Sequence, residues 1–331
     1  MQTPLSEAAR SLVAQSLAAH VTAAHERIRP FIRRTPVEPC SRLGRNVLLK
    51  LEHFQRTGSF KLRGAFNRLL TLTEAQRAAG CIAASTGNHG LAMVHAMAHL
   101  GIRGEVYVGE DTLPDKIAAM RAIGGTVTIA GCDAGEAEQL ARREGQSRQL
   151  TYVSPYNDLY VVAGQGTIGV ELLEDIPQLD AVLVSVGGGG LISGIASFLK
   201  SRNPAIRVIG CQPANECLMA RSVEAGHLID EPRMPTISDG TVGRIEAGSI
   251  TFEPCGALVD RYVTATESEI AQALVETLDR EHLLLEGAAA LAIACYETIR
   301  RDLAGANVAI VCCGGNIGQA TLRKVLDMVH A

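Results

Sequence analysis

Tryptophan is missing from this chain, and Phe, Tyr and Trp together make up only 4% of it. Aromatic cages and base-stacking platforms therefore have little to be built from. No basic excess exists either: 31 Lys and Arg stand against 35 Asp and Glu, a net charge of −4, which argues against a nucleic-acid partner. The longest apolar stretch, residues 181–199, is broken by four consecutive glycines and by serines, so it is wrong for a lipid-facing helix. Residues 1–34 carry His20, Glu26 and several Arg without a continuous apolar core, which excludes a secretory signal. The nine cysteines are odd in number, contain no C-x-x-C pair, and end in an adjacent Cys312-Cys313. That spacing suits neither a bridge nor two ligands of one zinc, so no metal site is expected and a reducing cytoplasm is.

What is present is enough apolar material, 47% of 331 residues, for one large domain or two interleaved lobes. Short β-rich runs alternate with amphipathic stretches. Strands are expected at 47–51, 81–84, 105–108, 127–129, 181–186, 208–211, 258–263 and 308–312. Helices are expected at 64–72, 91–100, 115–123, 133–144, 164–173, 191–200, 267–281 and 288–300. Continuous apolar strands between helices predict parallel sheets covered on both faces, an α/β fold. Ligands gather at the carboxyl ends of such strands. Glycine-rich breaks follow Ala84, Val186 and Cys313, at three of those ends.

Gly187, Gly188, Gly189 and Gly190, ahead of a helix, can converge backbone N–H groups on an anion. The spacing is neither G-x-G-x-x-G nor a nucleotide P-loop, so a phosphate cradle competes here with a plain tight turn. In Ser59-Phe60-Lys61-Leu62-Arg63-Gly64 a lysine sits beside an aromatic ring where extended chain becomes helix. Such a lysine can lose its proton and attack an aldehyde, although a lysine at a helix start is more often a surface residue. His95 and His99 lie four apart on a helix and read as packing residues, because no H-E-x-x-H frame surrounds them.

Together the segments S-F-K-x-R-G, S-T-G-N-H-G, A-G-Q-G-T, V-G-G-G-G and C-G-G-N resemble the fold-type-II pyridoxal-phosphate enzymes. They are most similar to the serine/threonine dehydratase and serine racemase group, in that family's order from about Arg34 to Ala320. The resemblance implies a tryptophan-synthase-β-like fold of two lobes, a large one from 1–66 and 155–331 and a small mobile one at 67–154. It implies pyridoxal phosphate as cofactor, joined to Lys61, which then acts as base on the substrate's α-proton. Phe60 would pack on the pyridine ring, Asn88 would bond the phenolic oxygen, and Gly187 to Leu191 would hold the phosphate. Ser85, Thr86, Gly87, Asn88 and His89 would receive the substrate carboxylate. Gly240 would lie near one ring face, and Cys313 would face the pyridine nitrogen. A neutral thiol there makes a weaker electron sink than a carboxylate would, which suits elimination more than transamination.

The implied reaction is loss of water from a β-hydroxy-α-amino acid such as threonine or serine, giving a 2-oxo acid and ammonia. His53 stands where serine/threonine members commonly carry Asn. That leaves phenylserine, 3-hydroxyaspartate or a hydroxyectoine-derived compound open as substrates. Serine racemase is the enzymatic alternative, although racemases of the group use a serine as second acid–base group where this chain has Thr86, which favours elimination. An inactive cofactor-binding regulatory protein is the non-enzymatic one. Gln212 and Leu218 replace the acids that hold a divalent cation in some members. No effector domain is expected after Ala320. The expected partners are a small amino acid and, by family resemblance, a second copy in a homodimer, with neither nucleic acid nor membrane.

Overall fold

The structure, a computed structural model, describes residues 6–232 and 234–330. Ten strands fall into two sheets: β1 (Val37–Pro39), β2 (Val47–Leu51), β3 (Cys81–Ala84), β4 (Gly104–Val108), β5 (Thr126–Ile129), β6 (Thr151–Tyr152), β7 (Ala181–Ser185), β8 (Arg207–Pro213), β9 (Arg261–Ala265) and β10 (Val308–Cys312). The larger sheet has the order β1-β2-β10-β7-β8-β9 and the smaller one β5-β4-β3-β6. Every pairing is parallel except β1 with β2. Pro39, which cannot donate to a ladder, sits on that antiparallel edge strand.

The central strands are buried on both faces, which is why β7 (AVLVS) and β10 (VAIVC) read as unbroken apolar runs. Helices Leu159–Asp175 and Gly190–Arg202 cover one side, and residues of both belong to the core under the larger sheet. Helix Glu7–Ile28 also joins the packing, burying Ala14, Leu17, Ala18, Val21, Ala24 and Ile28 at spacings of three and four. A second core under the smaller sheet includes Leu62, Phe66, Met93 and Val106. His95 and His99 pack edge-on against Phe66, and His99 also against Phe31, in agreement with the packing role read from their sequence context.

Several expected boundaries need correction. The strand expected at 258–263 begins only at Arg261: helix Phe252–Leu258 occupies the start of that range. Asp260 then leaves the ladder, giving its N–H to Val208 O and accepting the Val208 N–H on its carboxylate. The helices expected from Gly64 and Leu91 begin earlier, at Lys61 and Asn88, so both motifs reach into helical first turns.

Candidate active site

The site is assembled where two distant segments meet. Phe60 N–H bonds Cys313 O at 3.0 Å, Gly315 N–H bonds Gly58 O at 2.9 Å, and Ser59 faces Gly314 in an isolated bridge. This short pairing at the end of β10 sets Lys61, the first residue of helix Lys61–Leu70, beside Cys313. Lys61 Nζ donates to Pro155 O at 3.0 Å and lies 5.2 Å from the centroid of the Phe60 ring. Burial pushes its pKa down to about 8, against the opposing pull of Cys313 and Glu286. Cys313 is buried, and burial raises its thiol well above the ordinary value, so it stays protonated.

Lys61 opens onto a cavity of about 1160 Å³ at the carboxyl ends of β3, β7 and β10. Its lining contains Phe60, the loop Ser85 to His89, Gly187 to Leu191, Gly240 and Cys313, so every site residue implied by the family resemblance reaches one space. Gly187 to Gly189 carry the chain from β7 into helix Gly190–Arg202, whose N-terminus has no side-chain cap. None of their amides meets a protein acceptor among the described residues, which leaves a converging set of donors at a helix start. The glycines are required by contact. A Cβ on Gly187 would fall 2.9 Å from Thr241 O, one on Gly188 2.5 Å from the Tyr156 ring, and one on Gly190 2.9 Å from Tyr156 Cβ. Gly189 also has φ of +83°, a conformation L side chains rarely take.

Opposite the cradle, Asn88 opens helix Asn88–Leu100 behind Gly87, again with no side-chain cap. The Ser85 hydroxyl accepts the Gly87 N–H at 3.3 Å. His89 is buried with Nε2 at 3.0 Å from Val153 O, and burial beside Lys61 lowers its pKa to about 3, so it is a neutral ring. Asn88 is held from two sides. Its Nδ2 donates to both oxygens of Glu286, at 2.8 and 3.0 Å, and its Oδ1 accepts from Asn316 Nδ2 at 2.7 Å. Burial raises the Glu286 carboxyl to about 7. Glu286 was missed by sequence reading, because an acid just before Gly287-Ala288-Ala289 looks like an ordinary helix cap.

The lining cations other than Lys61 are paired: Lys116 with Asp239 at 3.2 Å, Arg142 with Glu138 and Glu246 at 2.8 and 2.7 Å, and Arg244 with Asp230 at 3.4 Å. His53 does not line the cavity. It packs on Phe54 at 4.1 Å and against Gly315, where a Cβ would come within 3.1 Å of His53 Cβ.

The family model described as pyridoxal-phosphate-dependent enzyme matches residues 28–314, which spans both sheets and every named cavity residue except Asn316. The chain belongs to the pyridoxal-phosphate-dependent enzymes. It is 39% identical to the catabolic L-threonine dehydratase of Staphylococcus aureus over 91% of this chain and 89% of that one. It is 38% identical to the L-threonine ammonia-lyase of Thermotoga maritima over 86% and 70%. Among solved structures it is similar to the processed form of threonine deaminase isoform 2 from Solanum lycopersicum, with a TM-score of 0.90 and 30% identity, covering 100% of this chain and 96% of that one. Maize serine racemase is similar too, with a TM-score of 0.87 and 28% identity over 95% and 99%. The fold is thus the two-lobed fold type II of this family, and its cofactor is pyridoxal phosphate.

The residues fit that group. Four successive glycines, where side chains would clash or strain the backbone, present amides with no protein acceptor among the described residues at a helix start, which suits an anion such as a phosphate. Facing them is a lysine whose proton is loosened and which can add to an aldehyde.

Proposed function

We propose that this enzyme eliminates water from a neutral β-hydroxy-α-amino acid, threonine or serine, releasing a 2-oxo acid and ammonia. One observation carries the reading: a lysine with its pKa near 8 and a protonated, uncharged Cys313 share one cavity with a glycine phosphate cradle. The names of the relatives that match most of the chain support it.

Gly187 to Leu191 would hold the cofactor phosphate through backbone N–H groups, Phe60 and Gly240 would bracket the ring, and Asn88 would bond its phenolic oxygen. When bound, the cofactor supplies an aldehyde for the substrate amine and a ring that accepts electrons from the α-carbon. The uncoupled N–H groups at the start of helix Asn88–Leu100, with Ser85, Thr86 and Gly87, receive the substrate carboxylate. Lys61 Nζ, in its neutral form, would take the α-proton. Cys313 would offer the ring nitrogen a thiol and no charge, a weaker electron sink than a carboxylate and one suited to elimination. Every lining cation other than Lys61 is already ion-paired, which disfavours 3-hydroxyaspartate with its second carboxylate.

We propose further that residues 67–154 form a small mobile lobe against 1–66 and 155–331, and that the enzyme works in the cytoplasm as a homodimer. Among the described residues no helix is long and apolar enough to cross a membrane.

The test is a panel of L-threonine, L-serine, phenylserine and 3-hydroxyaspartate offered to purified, cofactor-loaded protein, with 2-oxo acid and ammonia assayed together. Equal yields of both from threonine or serine are expected. Racemised amino acid with no 2-oxo acid would transfer the assignment to a racemase.

A further inference from the structure

Glu286 is the residue before helix Gly287–Ile299, the position at which an acid ordinarily accepts the helix's own N–H groups. It makes no such cap. It is 3% exposed, and its carboxylate turns into the cavity wall, where both oxygens meet Asn88 Nδ2 and Oε2 also accepts the Asn316 N–H at 3.2 Å. The space it occupies is built for it, since a Cβ on Gly314 would lie 2.3 Å from Oε1. A buried acid that neglects its own helix is costly unless those hydrogen bonds are used.

We propose that Glu286 is a positioning residue for the cofactor's phenolic oxygen, acting through Asn88 by fixing which end of its amide faces which neighbour. This rests on the assignment of Asn88 given above. An ionised carboxylate only accepts, so it demands Nδ2 of Asn88 and directs Oδ1 to Asn316, whose own Nδ2 is anchored on Thr57 O at 2.9 Å. A single Asn88 N–H shared between the two Glu286 oxygens accounts for both contacts, and the second N–H is then left for the cofactor.

A proton on Glu286 turns one of its oxygens into a donor, which suits the flipped amide as well as the native one. The hold on Asn88 then loosens. The charged and titratable groups facing Glu286 come from four elements: Lys61, Cys313, Asp239 and Lys116. Asp239 works against ionisation and Lys116 favours it. With the carboxyl at about 7, the switch lies near neutrality.

The experiment measures pyridoxal-phosphate affinity of the apoprotein by equilibrium dialysis from pH 6 to 8.5. All arms carry Lys61→Ala, so covalent capture does not contribute. Glu286→Gln should weaken binding about tenfold at pH 8, the scale of one charge-assisted hydrogen bond, and flatten the rise in affinity through pH 7. In an Asn88→Ala background the same substitution should change nothing further. If Glu286→Gln binds as its parent does at every pH, or weakens binding equally without Asn88, the proposal is overturned. Should Glu286→Gln fail to fold, Asn316→Ala must weaken binding in its place, and unchanged affinity there overturns the proposal as well. Turnover is scored separately on protein with Lys61 intact. A wild type that binds the cofactor yet yields no 2-oxo acid removes the lyase reading and leaves the role of Glu286 standing.

Discussion

Arg63 and Glu171 pair side by side through N–H···O contacts of 2.7 and 2.9 Å, with both side chains all but sealed from solvent. The same guanidinium meets Glu52 through two more contacts, at 2.9 and 2.7 Å, and Lys50 completes a balanced set of charges on Glu171 at 2.6 Å. Arg63 stands two residues after Lys61, so this network clamps the helix start that carries the reactive amine. Removing one member of a buried set leaves the others uncompensated. Arg63→Met is expected to cost about 3–5 kcal/mol in urea unfolding. A loss below about 1 kcal/mol would mean that solvent relieves the two carboxylates.

Lys61 titrating near 8 makes a kinetic statement. Covalent capture of pyridoxal phosphate by the apoprotein needs the neutral amine, so its rate should rise with pH and level off above about 8. Stopped-flow absorbance would follow it. A rate still climbing towards the ordinary lysine value of 10.5 contradicts the lowered pKa. Lys61→Ala should have no turnover at any pH.

Gly188→Ala tests the cradle by shape alone. The added methyl would meet the Tyr156 ring at 2.5 Å, and that ring is tethered because its hydroxyl donates to Arg244 O and accepts the Glu246 N–H. Overpacking of this kind costs about 1–3 kcal/mol, and cofactor affinity should drop at least about tenfold. Gly256→Ala, whose nearest contacts are at 3.9 Å in helix Phe252–Leu258, is the control and should leave cofactor affinity unaltered.

Thr86 lines the cavity next to Asn88, and its added methyl stiffens χ1 relative to serine. Elimination is expected to exceed racemisation in the wild type, and Thr86→Ser to increase the racemised share. Chiral chromatography of amino acid recovered from one pure enantiomer, alongside 2-oxo acid yield, measures the ratio. A wild type that racemises faster than it eliminates defeats this prediction.

Acid stability carries two opposing signatures. Glu286 holds its proton up to about 7 against 4.5 ordinarily, so it contributes stability fully present below 4.5 and lost as pH rises through 7. His89, lowered from 6.5 to about 3, contributes stability present above 6.5 and lost as pH falls towards 3. Glu286→Gln removes only the first effect, so its apoprotein should gain on the wild type between pH 5 and 7.5. Parallel urea midpoints in the two proteins would rule this out.

Much of this architecture was legible in the amino-acid order, because strands such as β7 and β10 are apolar on both faces and are punctuated by glycine. Helix Glu7–Ile28 escaped because half of its buried stripe is alanine, which contrasts weakly with its surroundings, although the spacing from Ala14 to Ile28 contains the signal. The early starts at Lys61 and Asn88 escaped because neither has a capping side chain ahead of it. The motifs brought Lys61, Asn88, the four glycines and Cys313 to one cavity. Glu286 could not be foreseen, since its partner Asn88 lies 198 positions away and only the fold joins them.

The insertion of β10 between β2 and β7 has a consequence for how the chain matures. The larger sheet is incomplete at its centre until a segment synthesised well after both of its neighbours slides between them. Until then Lys61 has no Cys313 beside it, and the edges of β2 and β7 stand open. The order of assembly thus predicts slow, late closure dominated by distant contacts, with a lysine that becomes reactive only when the whole sheet is shut.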